Sequence, residues 1–107
     1  MRIEEYVSGG LSPFRRWFDG LDAQAAAIVT IAIERLAEGN TSNVKPIGEG
    51  AAELRINRGP GYRVYFGWDG KVLVILLGGG TKRRQQDDID AALHRWRDYK
   101  KRKRDER

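Results

Sequence analysis

An α+β fold follows from three features of this 107-residue chain: an N-terminal strand and helical hairpin, a small antiparallel or mixed sheet, and a C-terminal helix. Two adjacent helical stretches near the start carry their own capping residues. Short strand-like runs follow, punctuated by Gly-Pro-Gly and Asp-Gly. One amphipathic stretch then closes the chain. The length suits one domain with one core. Residues 1–99 are read as that domain and 100–107 as a basic, frayed tail.

The elements come in order. "MRIEEYV" alternates loosely and predicts a first strand. In "LSPFRRWF", Ser12 suits an N-cap and Pro13 the first helical turn, where a missing N–H has no helical partner anyway. Phe14, Trp17, Phe18 and Leu21 then form one apolar stripe. Asp22 suits the cap of "AQAAAIVTIAIERLAE", which is apolar over most of its circumference and is expected to be largely buried. Gly39-Asn40 ends it. "TSNVKPIGEGA" reads as a loop. Strands are expected near 52–58, 61–67 and 71–78, with Asp69-Gly70 turning between the last two. "KVLVILL" is apolar on both faces and belongs inside the sheet. "GGGTKRRQQ" reads as a loop. "DDIDAALHRWRDY" places Ile89, Ala92, Leu93, Trp96 and Tyr99 on one helical face, with acids first and bases last, as the helix dipole favours.

Composition narrows the function. There is no cysteine, so no disulfide or thiolate metal site is available. The longest apolar run, Val72 to Leu77, is far too short to cross a bilayer, and no signal-peptide core stands at the start. A cytoplasmic protein without membrane contact is expected. The net charge is +5, but residues 55–84 hold seven Lys/Arg against Asp69 alone. A block of positive charge inside a folded segment suggests a polyanionic partner; a solvated basic surface is the bland alternative.

The arginines of "ELRINRGPGYRVYF" depend on strand register. A three-residue Gly59-Pro60-Gly61 loop sets Ile56 opposite Val64, Leu54 opposite Phe66, Asn57 opposite Arg63 and Arg55 opposite Tyr65. That yields one apolar face for the helical hairpin and one polar face bearing Arg55, Arg63, Tyr65 and Asn57. Like charges at close range require an anion, either Glu53 internally or a bound phosphate. Tyr65 among arginines is a candidate platform for a nucleobase. Lys82, Arg83 and Arg84 leave the central strand through three glycines. That run is either a flexible exit or a backbone cradle for an anion, with the exit favoured on the glycines alone. His94 stands alone, and Asp87, Asp88 and Asp90 read as first-turn helix acids, so no metal or cofactor is expected. The whole suggests a basic groove bordered by the last helix. Metal-free RNA cleavage there needs a base, cations to stabilise the phosphorane and an acid. Arg55, Arg63 and Lys82 can supply the cations; the base and acid have no evident owner.

The ordered set "ELRI", "GPGYRVYF", "VILLGGGTK" and "QQDDIDAA" resembles the addiction-module killer proteins, the RelE/ParE/HigB-type toxins of bacterial type II toxin–antitoxin systems. The likeness runs from "SPFRRWFDGL" to "DDIDAA". It implies the α+β fold given above and an antitoxin from the adjacent gene, often a helix-turn-helix protein. It also implies either ribosome-dependent mRNA cleavage, as in the RelE and HigB branches, or gyrase poisoning, as in the ParE branch. By that resemblance Arg63 holds the scissile phosphate, Arg55 flanks it, and Lys82 matches the basic residue after the last strand. Arg58, Arg83 and Arg84 join Tyr65 as RNA contacts. The tyrosine or histidine that many such ribonucleases keep near the C-terminus is replaced here by "TKRRQQDDI", leaving Lys82, Gln86, Asp88 or Tyr65 to carry protons. Three functions are therefore weighed: an mRNA-cleaving toxin acting on the ribosome, a gyrase inhibitor, and a non-catalytic nucleic-acid-binding module.

Overall fold

In the computed structural model, which describes residues 1–106, the order is β1 (Arg2–Glu5), α1 (Pro13–Asp19), α2 (Ala23–Ala37), β2 (Val44–Gly48), β3 (Ala51–Ile56), β4 (Tyr62–Asp69), β5 (Leu73–Thr81), a 3-10 turn (Lys82–Arg84) and α3 (Gln85–Asp105). The five strands form one sheet in the order β1-β5-β4-β3-β2. Only the β1–β5 pair is parallel. The α+β class and the hairpin-sheet-helix order are as expected.

Both helix starts are capped as the sequence predicts. Ser12 Oγ accepts from Arg15 N at 3.0 Å, and Asp22 Oδ1 accepts from Ala25 N at 2.8 Å. The expectation that α2 is largely buried is corrected. Only Ala25, Val29 and Leu36 are enclosed, while Ile31 on the outer side is 48% exposed. One stripe packs on the sheet, as for any helix with a single covered side.

The segment read as a loop contains β2. Its sequence, "VKPIG", hides a strand behind a proline and two flanking glycines. The proline is tolerated because β2 is an edge strand, where one N–H has no ladder partner. The turn into β3, Glu49-Gly50, has positive φ at both residues (59° and 86°), as two-residue hairpins require.

The sheet is covered on both faces. Leu54, Ile56, Val64, Phe66, Val74 and Leu76 pack with Phe14, Val29 and Leu36 beneath the helical hairpin. Fully burying side chains such as Phe66 and Leu36 contributes about 1.5–3 kcal/mol each. On the other face Tyr65, Ile75 and Leu77 pack with Tyr6, Ala92 and Trp96 beneath α3.

The "GGGT" stretch belongs to β5, not to a loop, and its glycines make room for side chains. A Cβ on Gly79 would lie 2.1 Å from the Trp17 ring, and one on Gly78 would lie 2.6 Å from Arg95 Nη1. A Cβ on Gly80 would lie 2.1 Å from Asp88 Oδ2. Gly67 on β4 is equally hemmed in, 2.4 Å from the Trp96 ring. A register shift between Tyr65 and Phe66 interrupts the β4–β5 ladder.

The boundary at residue 99 is not a structural break. α3 runs on to Asp105, and its basic end is tied down. Arg102 donates to Val7 O at 2.6 Å and to Ser8 Oγ at 2.9 Å, and Lys103 pairs with Asp69 at 2.6 Å. Earlier in the helix Trp96 Nε1 donates to Glu49 O at 2.7 Å, and Lys100 reaches the same carbonyl at 3.1 Å. The frayed tail expected from its charge is therefore helical as far as residue 105 and tethered as far as Lys103. No helix among the described residues is long and apolar enough to cross a membrane.

Candidate functional site

The β3–β4 register differs from the expected one by two residues. Leu54 opposes Val64, Glu53 opposes Tyr65 and Arg55 opposes Arg63. The connecting loop is therefore Asn57 to Gly61, five residues and not three. A slip of two preserves every side chain's face. Arg55, Arg63 and Tyr65 do share one face, joined by Glu53.

That face is not open. Arg63 is 5% exposed and Glu53 1%. The Glu53 carboxylate accepts from Arg55 Nε at 2.7 Å and from Gln85 Nε2 at 3.0 and 3.2 Å. It is the internal anion the arginine pair demands, but it serves Arg55. Arg63 makes one long contact, Nη1 to Tyr62 O at 3.4 Å, and its Nε has no hydrogen-bond partner among the described residues. No described carboxylate lies within ion-pair distance of it. A buried, unpaired guanidinium is costly in the folded state and calls for an explanation.

Lys82 stands at the rim of this cluster. Its backbone N–H donates to Gly61 O at 2.9 Å, closing the sheet end beside Arg63. A Cβ on Gly61 would touch both Lys82 Cβ (3.3 Å) and Arg63 Nη1 (4.0 Å), so the two cations flank one glycine. Lys82, Arg83 and Arg84 are exposed on the 3-10 turn, with Arg84 3.7 Å from Asp87. The structure thus brings Arg55, Arg63 and Lys82 together at the ends of three strands.

Two expected contacts differ. Tyr65 is 1% exposed, enclosed beneath α3, so its ring offers no stacking face. Burial, followed by the nearby Glu53 charge, pushes its phenol pKa up, and its hydroxyl has no partner among the described residues. Arg58 lies in the β3–β4 loop beside Ile28 and Ala25 of α2, lining a groove under the helical hairpin that also takes in Arg55.

Two contributors were not apparent from the sequence. Gln85 closes the Glu53 network from the first turn of α3, and Arg95 reaches Leu77 O at 2.9 Å across the space that Gly78 leaves empty. The signals were the glycines themselves, since a strand position without a side chain marks a close approach. Asp88, over Gly80, has its carboxyl pKa raised, chiefly by burial. His94 is exposed, and no group of His, Cys, Asp or Glu among the described residues is arranged to hold a metal.

Comparison with known proteins places most of the chain in one family. The model of the family described as phage-derived protein Gp49-like (DUF891) matches residues 16–97, which takes in the end of α1, all of α2, β2–β5 and most of α3. An uncharacterized protein of Haemophilus influenzae is 44% identical over 80 residues, covering 74% of this chain and 81% of that protein. The Gp49-like family is a toxin-like family of the addiction-module killer type. With the match covering β2–β5, every cation of the cluster and most of the chain, the chain belongs to the phage-derived Gp49-like family.

Proposed function

We propose that the protein is the toxin of a type II toxin–antitoxin module and cleaves mRNA on the ribosome without a metal ion. The observation that carries this reading is Arg63, a buried guanidinium kept without a carboxylate where two further cations converge. A phosphodiester supplies the missing anion, and arginine's planar fork suits its oxygens. Arg55, held by Glu53, flanks the phosphate. Lys82 at the rim offsets charge on the phosphorane or takes up the proton of the attacking 2′-hydroxyl. Arg83 and Arg84 extend the positive rim along the RNA backbone. Such a protein is neutralised by a partner antitoxin, expected from the adjacent reading frame, and works in the cytoplasm.

The test is inducible expression in bacteria with pulse labelling. Growth arrest with loss of translation and new mRNA 5′ ends is expected, with the arrest abolished by Arg63→Met in a protein that still folds. Arrest accompanied by a DNA-damage response would replace this reading with gyrase inhibition. Absence of arrest would leave a nucleic-acid-binding module.

A further inference from the structure

A second feature lies beside this cluster. β1 stops at Glu5, opposite Leu76, so from Gly78 onward β5 has a strand neighbour, β4, on one side only. The chain turns away there through the Ser8–Leu11 bridge and enters α1, while α3 passes on the other side. A cavity of about 430 Å³ opens between α1, α3 and the bare strand at Gly79. That is within the roughly 300–1,000 Å³ of small-molecule sites.

Polar side chains line it, Arg16, Tyr65, Asp88 and Arg95 among them, without pairing with one another. Tyr65 is fully buried, and its hydroxyl lacks any partner among the described residues. Asp88 makes no hydrogen bond or ion pair among the described residues; its nearest opposing charges, Arg84 and Arg95, act only at a distance. Arg95 gives one N–H to Leu77 O and has no carboxylate partner. A buried phenol without a partner, a half-buried carboxyl without one, and a guanidinium bonded only to Leu77 O describe a ligand with both donors and acceptors. Asp88 argues against a bare phosphate, and Arg16 and Arg95 against a metal cation. Trp17, Pro13 and Ala91 supply apolar walls for something flat.

We propose that this cavity is a guanine pocket: Asp88 accepts from N1–H and the 2-amino group of the base, and Arg95 donates to O6 and N7. Guanine alone among the four bases presents paired donors on one edge and the O6/N7 acceptor pair next to them. Adenine offers a single amino group and would leave the carboxylate half used. The pocket opens next to the phosphate site, since Asp88 lies over Gly80 and Gly80 is the strand partner of Arg63. A base and its own phosphate would thus be read by neighbouring groups. The proposal rests on the RNA-cleaving reading above for its biological substrate, though not for its chemistry.

The test is calorimetric titration of the full chain with 3′-GMP, 3′-IMP and 3′-AMP. The wild-type protein is expected to bind 3′-GMP about tenfold more tightly than 3′-IMP, which lacks only the 2-amino group, and more tightly than 3′-AMP. Asp88→Asn should remove the distinction between 3′-GMP and 3′-IMP. Arg63→Met should weaken all three nucleotides alike through their shared phosphate. Equal wild-type affinities for the three nucleotides, or a guanine preference that survives Asp88→Asn, would overturn the pocket. The wild-type series decides even if a variant fails to fold. Guanine selectivity in a protein that cleaves no RNA would reject the enzymatic reading and keep the pocket; RNA cleavage without nucleotide discrimination would do the reverse.

Discussion

Arg55 and Arg63 stand directly opposite each other on neighbouring strands, and the carboxylate beside them on the same face, Glu53, is bonded to Arg55 and not to Arg63. Two like charges at cross-strand distance destabilise a sheet unless an anion intervenes. Here the compensation is one-sided. The more deeply buried guanidinium is the one left unpaired, so anion binding and folding act on the same residue.

Replacing Arg63 by methionine removes a buried charge without orphaning a carboxylate. Stability should be unchanged or higher, within about 2 kcal/mol, because apolar groups of similar volume commonly match or exceed buried ions. Urea denaturation measures this beside the growth assay. A loss beyond about 3 kcal/mol would show that Arg63 is needed by the fold itself.

Glu53→Gln has the opposite consequence. It withdraws the anion from Arg55 and disturbs the bond from Gln85. Arg55 keeps about a third of its side chain in solvent (34%), which screens part of the effect. A destabilisation of about 1–3 kcal/mol is expected. Added phosphate should restore more stability to this variant than to the wild type, in a thermal shift at constant ionic strength. Equal shifts would argue against an anion site between the arginines.

Asp88 gives a pH signature. Its carboxyl pKa is raised in the folded state, chiefly by burial. An acid shifted upward binds more protons folded than unfolded. Its favourable contribution is therefore complete below the ordinary aspartate value of about 3.9 and fades as pH rises through the folded value. Asp88→Asn should accordingly be more stable than wild type at pH 7, with the difference vanishing near pH 3. A difference that persists at low pH would mean that the substitution acts through packing.

Gly67→Ala tests the seating of α3. The added methyl would meet the indole of Trp96, which is itself held by Glu49 O and stacked on Tyr99 at 5.4 Å between ring centroids. A ring anchored at both ends has little room to give, so a loss of about 1–3 kcal/mol is expected in chemical denaturation. A neutral effect would show α3 to be loosely docked.

Much of this architecture was legible because its causes are local. Ser12 and Asp22 cap the helices that follow them, Asp69-Gly70 makes its turn, and the period of two along β3 and β4 assigns every side chain to a face. The Asn57–Gly61 loop was misjudged by two residues, an error that alternation cannot detect. β2 escaped notice because Pro46 and its glycines resemble a loop unless its edge position is known. The burial of Tyr65 and the anchoring of Arg102 depend on α3 lying across the sheet, through contacts many tens of residues apart. The Gly78–Gly80 run looked like slack in the chain. Its meaning lies in Trp17, Asp88 and Arg95, which only the tertiary structure brings to it.

That run also lets side chains from both helical layers reach one stretch of strand. Trp17 presses on it from one side, and Asp88 and Arg95 from the other. Whatever fills the notch touches α1 and α3 at once, so occupancy would resist their separation and raise the melting temperature of the whole domain in proportion to the logarithm of ligand concentration.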